Sequence, residues 1–332
     1  MRPATSAAVT ETVRRAYGWS PAAIEQIHAG TATDNFALTD GAGRRWFAKV
    51  YREADRLPLE EAAIGLAGCA RDGGVPVPAQ HPDLQGRTFG RSGPLVLSLW
   101  DFVEGAETAE GGLRGPRWAA VGSVLGRLHR RLAGHPAGPP VLRPAVELRD
   151  GSGARRRYDR LIDAYRTRRK LSDFEAWALE AAVQRRAMLP RVEAILRGLP
   201  ALTTQIVHGD LASPNLLLRG DEIAAVIDFQ PPAARFAAWE IARIGCDPRT
   251  VLGTPTWDAE LGRLIDAYRE ENPRLPEADL AAVVAVGCAF TLSSIYPLAV
   301  PLEHPQELDE SLTTYARARH EAALQMLDAI GG

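Results

Sequence analysis

The feature that most constrains this chain is a strand-rich island inside a helical second half. From Gln205 to Phe229, two apolar runs flank Arg219-Gly220-Asp221-Glu222. That is the pattern of a β-hairpin and its turn. A hairpin turn decides which residues face each other across the two strands. With the turn centred between Asp221 and Glu222, Asn215 lies opposite Asp228, with Cα atoms about 5 Å apart.

The pairing predicts an amide oxygen and a carboxylate together at the open end of the hairpin. Both are hard oxygen donors of the kind Mg²⁺ prefers. Asp210 precedes Asn215 in a loop closed by Pro214. A carboxylate there can accept the proton of a hydroxyl group or orient it. Positioning, charge neutralisation and one group at the nucleophile are what phosphoryl transfer requires. The plain alternative is a polar turn before an ordinary hairpin.

The rest of the chain divides around residue 104. A short amphipathic helix is expected at residues 11–18, then two strands around the turn Thr39-Asp40-Gly41-Ala42-Gly43. In the strand Trp46 to Tyr51, Phe47, Lys49 and Tyr51 share one face. A helix is predicted from Leu57 to Asp72, closed by Gly73-Gly74, and an apolar strand from Leu95 to Val103. After Gly105 the spacing turns helical, with Val121, Val124, Leu125 and Leu128 on one stripe. Helices are expected at 155–198 and from Trp239 onward. The expected organisation is an α+β unit at 1–104 and a mostly helical unit at 105–332.

Composition narrows the classes. The net charge of −2 provides no global field for nucleic acid or an anionic membrane. Cys69, Cys246 and Cys288 are odd in number and widely spaced, which suits neither a disulfide framework nor a zinc site. The N-terminus lacks an apolar leader segment, so a cytoplasmic chain is expected. Leu280 to Leu302 holds no charged residue, but its Ala, Gly, Ser and Thr content and Pro297 and Pro301 mark it as a buried helix. Lys49 and Lys170 are the only lysines among 39 basic residues. A slim ammonium reaches a phosphate where the wide guanidinium fork does not fit, so each lysine draws notice.

His208-Gly209-Asp210-x-x-x-x-Asn215, followed by Ile227-Asp228-Phe229, resembles the aminoglycoside phosphotransferase and choline kinase family, relatives of the protein kinases. The resemblance runs through most of the chain. It implies a two-lobed protein-kinase-like fold, with a small β-rich N-lobe and a larger helical C-lobe. It also implies ATP and Mg²⁺, with Asp210 as catalytic base and Asn215 and Asp228 as metal ligands. Lys49 then resembles the strand lysine that meets the nucleotide phosphates. Its helix partner is Glu60 or Glu61, and Glu61 is preferred. Ser98 to Gly105 resembles the segment linking the lobes, which makes Asp101 and Val103 expected adenine contacts. Residues 29–36 stand where the phosphate loop belongs. They hold Gly30, Thr31 and Thr33 as expected phosphate contacts but no Gly-x-Gly-x-x-Gly pattern. Gln230 replaces the glycine of the mobile kinase Asp-Phe-Gly switch. His129 is read as structural, and Glu240 as a support for the catalytic loop.

The acceptor is less constrained. A hydroxyl-bearing small molecule of antibiotic, sugar or amino-alcohol type is the first expectation. The alternatives are Ser or Thr in a ribosomally made precursor peptide, with a lyase partner, and a non-catalytic nucleotide-binding module. Between Arg143 and Lys170 lie ten basic and four acidic residues. They read as a solvated helix face, or else as a surface disfavouring a polycationic acceptor and favouring an acidic metabolite or peptide.

Overall fold

The computed structural model describes residues 4–27 and 33–331. The chain has the α+β, protein-kinase-like fold and separates into two compact units. The first comprises Met1–Glu107, His208–Asp210 and Asn215–Pro232, and the second holds the remainder. A single cut at residue 104 therefore does not describe the partition. The hairpin of the island belongs with the first unit although it lies a hundred residues downstream. Its hydrogen bonds explain why. Val226 N–H donates to Pro76 O at 2.7 Å, and the Arg219 guanidinium donates to Glu104 O at 2.7 Å.

The first unit is built on an antiparallel sheet. Its order is Ala23–Ile27, Thr33–Thr39, Arg45–Tyr51, Leu95–Asp101 and Gln80–His81. Directly paired residues of an antiparallel sheet share a face. Phe36 pairs with Ala48, and Ala48 with Leu99, so one face is apolar. It packs on Val9 and Val13 of the helix Ser6–Tyr17. The alternation then puts Lys49, paired with Asn35 and Ser98, on the opposite face. The helix Leu57–Asp72 forms as predicted, whereas the helix expected at 11–18 runs from Ser6 to Tyr17 and the strand expected to reach Val103 ends at Asp101.

The second unit is a helical assembly with a three-stranded sheet of Val141–Pro144, Ala201–Ile206 and Ala234–Phe236. Its helices Arg117–Leu132 and Trp257–Glu271 approach so closely that a Cβ on Gly122 would sit 2.1 Å from Leu264 O. The buried stripe includes His129, whose Nε2 donates to Glu240 at 3.1 Å and whose Nδ1 meets the Tyr268 hydroxyl at 2.8 Å. This is the structural role expected for His129. Glu240 is drawn into the same buried pair. The uncharged stretch from Leu280 does not form one long helix: Val283–Leu292 is helical and ends there. Among the described residues no helix is long and apolar enough to cross a membrane.

Arg185 is fully buried, and among the described residues no ion pair joins it to a carboxylate. Its Nε–H donates to His320 Nδ1 at 3.1 Å, and His320 Nε2–H donates to Gln184 Oε1 at 2.9 Å. Burial, and then the Arg185 charge, push the His320 pKa down to about 4. Between about 4 and the ordinary value of 6.5 the unfolded chain therefore binds a proton that the folded chain refuses. Stability from this group is present above pH 6.5 and is lost as pH falls through that window. We expect wild-type protein to lose on the order of 2 kcal/mol more than His320→Gln on acidification from pH 6.5 to 4, measured by urea unfolding. Parallel curves would contradict this.

Candidate active site

The hairpin forms, but in a different register from the predicted one. Arg219 pairs with Glu222 and Leu218 with Ile223; a bulge then shifts the pairing to Leu217 with Ala225 and Leu216 with Val226. The turn is Gly220-Asp221, because Gly220 at φ 62° supplies the left-handed residue that a two-residue hairpin loop needs. Ile227 N–H donates to Asn215 O at 3.0 Å, so Asn215 lies opposite Ile227 and not opposite Asp228. Asp228 is the next residue. At φ 63° it is the one non-glycine with positive φ among the described residues. Such a conformation is uncommon outside glycine, and Asp tolerates it better than most.

A histidine absent from the expected site residues holds both ends of the motif. His208 is fully buried. Its Nε2–H donates to Ile227 O at 2.9 Å, and its Nδ1 accepts from the Asp210 backbone N–H at 3.2 Å. One neutral imidazole thus ties the residue before Asp228 to Asp210 itself. Its ring also lies 4.2 Å from the Phe229 ring, and Gln230 N–H donates to its carbonyl at 3.0 Å. The sequence signal was available, since His208 opens the motif, but its use as a brace depends on the fold. Gly209 makes the arrangement possible. It sits at φ 92°, and a Cβ there would lie 2.8 Å from the Gln230 Cβ. Gly209→Ala is therefore expected to cost about 1–3 kcal/mol in denaturant unfolding. A variant as stable as wild type would contradict this.

Asn215 Nδ2 donates to Asp210 O at 2.8 Å, which closes the loop and leaves Oδ1 as the remaining polar atom of the amide. Lys49 reaches the same place from the sheet. Its Nζ donates to Asp228 Oδ1 at 2.8 Å and lies 3.8 Å from Glu60 Oε2. The expected partner Glu61 is not at the lysine. A residue step turns a helix by about 100°, and Glu61 instead accepts from the Thr88 hydroxyl at 2.9 Å. The carboxylate oxygen of Asp228, half exposed, and Oδ1 of Asn215 are hard donors. They fit Mg²⁺, which binds through one or two side chains and the phosphates of a substrate.

The remaining expectations fall as follows. Gly30 and Thr31 lie outside the described residues. Thr33 opens its strand, buried, with its hydroxyl donating to Asn35 Oδ1 at 3.1 Å. Asp101 ends its strand and gives its N–H to Ala79 O at 2.9 Å. Its carboxylate accepts from His81 and Arg44. Burial pushes its pKa up, but those two hydrogen bonds outweigh it and hold it below the ordinary value. Val103 follows where the chain has left the sheet. In the second unit, Ser213 Oγ donates to Asp247 at 2.9 Å and Arg243 Nε to Leu211 O at 3.0 Å, which fixes the loop between Asp210 and Asn215.

A sequence model described as the phosphotransferase enzyme family matches residues 23–281, most of the chain. The chain belongs to that family. An uncharacterised protein of Deinococcus radiodurans is 28% identical over 294 residues, covering 83% of this chain and 77% of its own. Among solved structures, spectinomycin phosphotransferase in complex with ADP and spectinomycin is similar in fold. Its TM-score is 0.70 at 16% identity, covering 98% of this phosphotransferase and 99% of that chain. A microcompartment-associated aminopropanol kinase is similar at a TM-score of 0.59 and 20% identity, over 98% of each chain.

Proposed function

We propose that this phosphotransferase moves the γ-phosphoryl group of ATP to a hydroxyl group of a small molecule. The observation that carries the reading is the meeting of Lys49 with Asp228, beside an Asn215 that is bonded to Asp210. Lys49 would contact the nucleotide phosphates, and Glu60 would hold its ammonium in place between nucleotides. Asn215 and Asp228 would hold Mg²⁺, which when bound neutralises charge on the phosphate oxygens. Thr33 with Gly30 and Thr31 would cover the phosphates, and Asp101 and Val103 would meet the base.

Asp210 takes the proton. The acceptor oxygen bonds to the γ-phosphorus as the bond to ADP breaks, and the hydroxyl proton passes to the Asp210 carboxylate. His208 supports that step through the backbone. Its contacts fix the Asp210 N–H and Ile227 O, so the two carboxylates flanking the hairpin cannot drift independently. Membership of the family and the nucleotide complex of the spectinomycin enzyme support this reading.

Two experiments follow. Asp210→Ala is expected to reduce transfer from γ-labelled ATP about 10²–10⁴-fold while Mg·ATP affinity and thermal stability stay at wild-type levels. Retained transfer would remove Asp210 from its role. Glu60→Gln is expected to weaken Mg·ATP binding about fivefold, and Glu61→Gln to leave it within twofold, measured by calorimetry. The reverse order would restore Glu61 as the lysine's partner.

A further inference from the structure

Asp34 breaks the alternation of its own strand. In Thr33–Thr39, Phe36 and Leu38 turn to the apolar face that packs on the helix Ser6–Tyr17. Asp34 shares that face, since side chains two apart on a strand point the same way. Its neighbours across the sheet are apolar as well: Asp34 pairs with Val50, and Val50 with Leu97. The residue is only 4% exposed. An apolar side chain is the stable choice at such a position, because burying a charge costs free energy even when it is paired.

What the carboxylate supplies is direction. Its Oδ1 accepts from the Arg52 guanidinium at 2.5 Å, and its Oδ2 accepts from the Ala4 backbone N–H at 3.1 Å. The Arg52 guanidinium, against the opposing effect of burial, and then the Ala4 N–H hold the Asp34 carboxyl below its ordinary pKa, so it stays charged at neutral pH. Arg52 directly follows the strand Arg45–Tyr51. Ala4 directly precedes Thr5, whose side chain caps the helix Ser6–Tyr17. Two charge-assisted bonds thus fasten three separate segments at one end of the sheet. An apolar side chain would suit the face without fixing those segments at set distances.

The same end of the sheet carries the groups expected at the phosphates. Thr33 is the chain neighbour of Asp34 and points to the other face, paired with Tyr51. Its hydroxyl donates to Asn35 Oδ1 at 3.1 Å, and Asn35 pairs directly with Lys49. Thr33, Asn35 and Lys49 therefore form one row on the face opposite Asp34. One backbone carries both faces, so a shift of the strand at Asp34 moves Thr33 against Lys49. A misplacement of about 1 Å is enough to weaken groups that must meet a ligand together.

We infer that Asp34 is a positioning residue of the nucleotide site: from the apolar face of the sheet it holds the start of its strand, so that Thr33 meets the nucleotide phosphates at a fixed distance from Lys49. The inference rests on the phosphotransferase reading, which takes Thr33 and Lys49 as phosphate contacts. It gives a role to a residue outside the motif, and it makes the segment ahead of the first helix part of nucleotide binding.

The test is calorimetric titration of the full chain with Mg²⁺ and a non-hydrolysable ATP analogue, and separately with adenosine, which lacks the phosphates. Asp34→Leu is expected to weaken the analogue on the order of tenfold, while adenosine affinity stays at the wild-type value and the melting temperature does not fall. Asp34→Asn keeps an oxygen for the Ala4 N–H and loses the charge beside Arg52, so its analogue affinity is expected between those of wild type and Asp34→Leu. Because Asp34 acts through Thr33, Thr33→Val alone is expected to weaken the analogue, and Asp34→Leu to add little to it. A role in folding alone predicts a lowered melting temperature with both affinities unchanged, and that result overturns the inference. Equal weakening of analogue and adenosine overturns it too, as does full additivity with Thr33→Val. Should Asp34→Leu fail to fold, Asp34→Asn decides by the same comparison of analogue with adenosine. Wild-type protein that binds no Mg²⁺-loaded analogue sinks the phosphotransferase reading and this inference together, a result distinguished from the others because it involves no substitution.

Discussion

The ion pair between Lys49 and Asp228 joins residues 179 apart in sequence. It ties the sheet of the first unit to a hairpin from the far half of the chain. For that contact to form, three things must already be right. The sheet must alternate so that Lys49 lies opposite the apolar face. The hairpin must end at Ile227. Asp228 must then turn into a left-handed conformation that few residues accept. Each is a separate consequence of sequence, and their agreement at one atom pair marks the place as built for charge.

His208 and Gly209 explain how the hairpin end is held. An imidazole with one donor and one acceptor satisfies two backbone groups on different segments. Gly209 gives room for the crossing beside Gln230. Local constraint of this kind is expected where reacting groups must be preorganised. Within the second unit, the Ser213 hydroxyl donates to Asp247 and so holds the short segment that follows Asp210 in the chain.

Much of this was legible in the sequence, and the failures have physical causes. The helix Leu57–Asp72 followed from its apolar spacing and terminal glycines, and the hairpin from its two apolar runs. The register did not follow. Gly220 set the turn one residue earlier than expected, and a bulge near Leu217 then took back part of the shift. The preference for Glu61 over Glu60 failed, because one helical step separates the residue at the lysine, Glu60, from the one at Thr88, Glu61. The arginine run was legible as charge, but which of its members are paired was not: Arg155 finds Glu193, far along the chain, a contact that only packing makes.

The central claim is that Asp228, with Asn215, holds the metal of a nucleotide that Lys49 meets. Calorimetric titration of ATP with and without Mg²⁺, in wild type and in Asp228→Asn, tests it most directly. The account predicts that Mg²⁺ tightens ATP binding to wild-type protein at least tenfold and that Asp228→Asn loses most of that gain while keeping its fold. ATP binding that is absent, or equally dependent on Mg²⁺ in the two proteins, would contradict it.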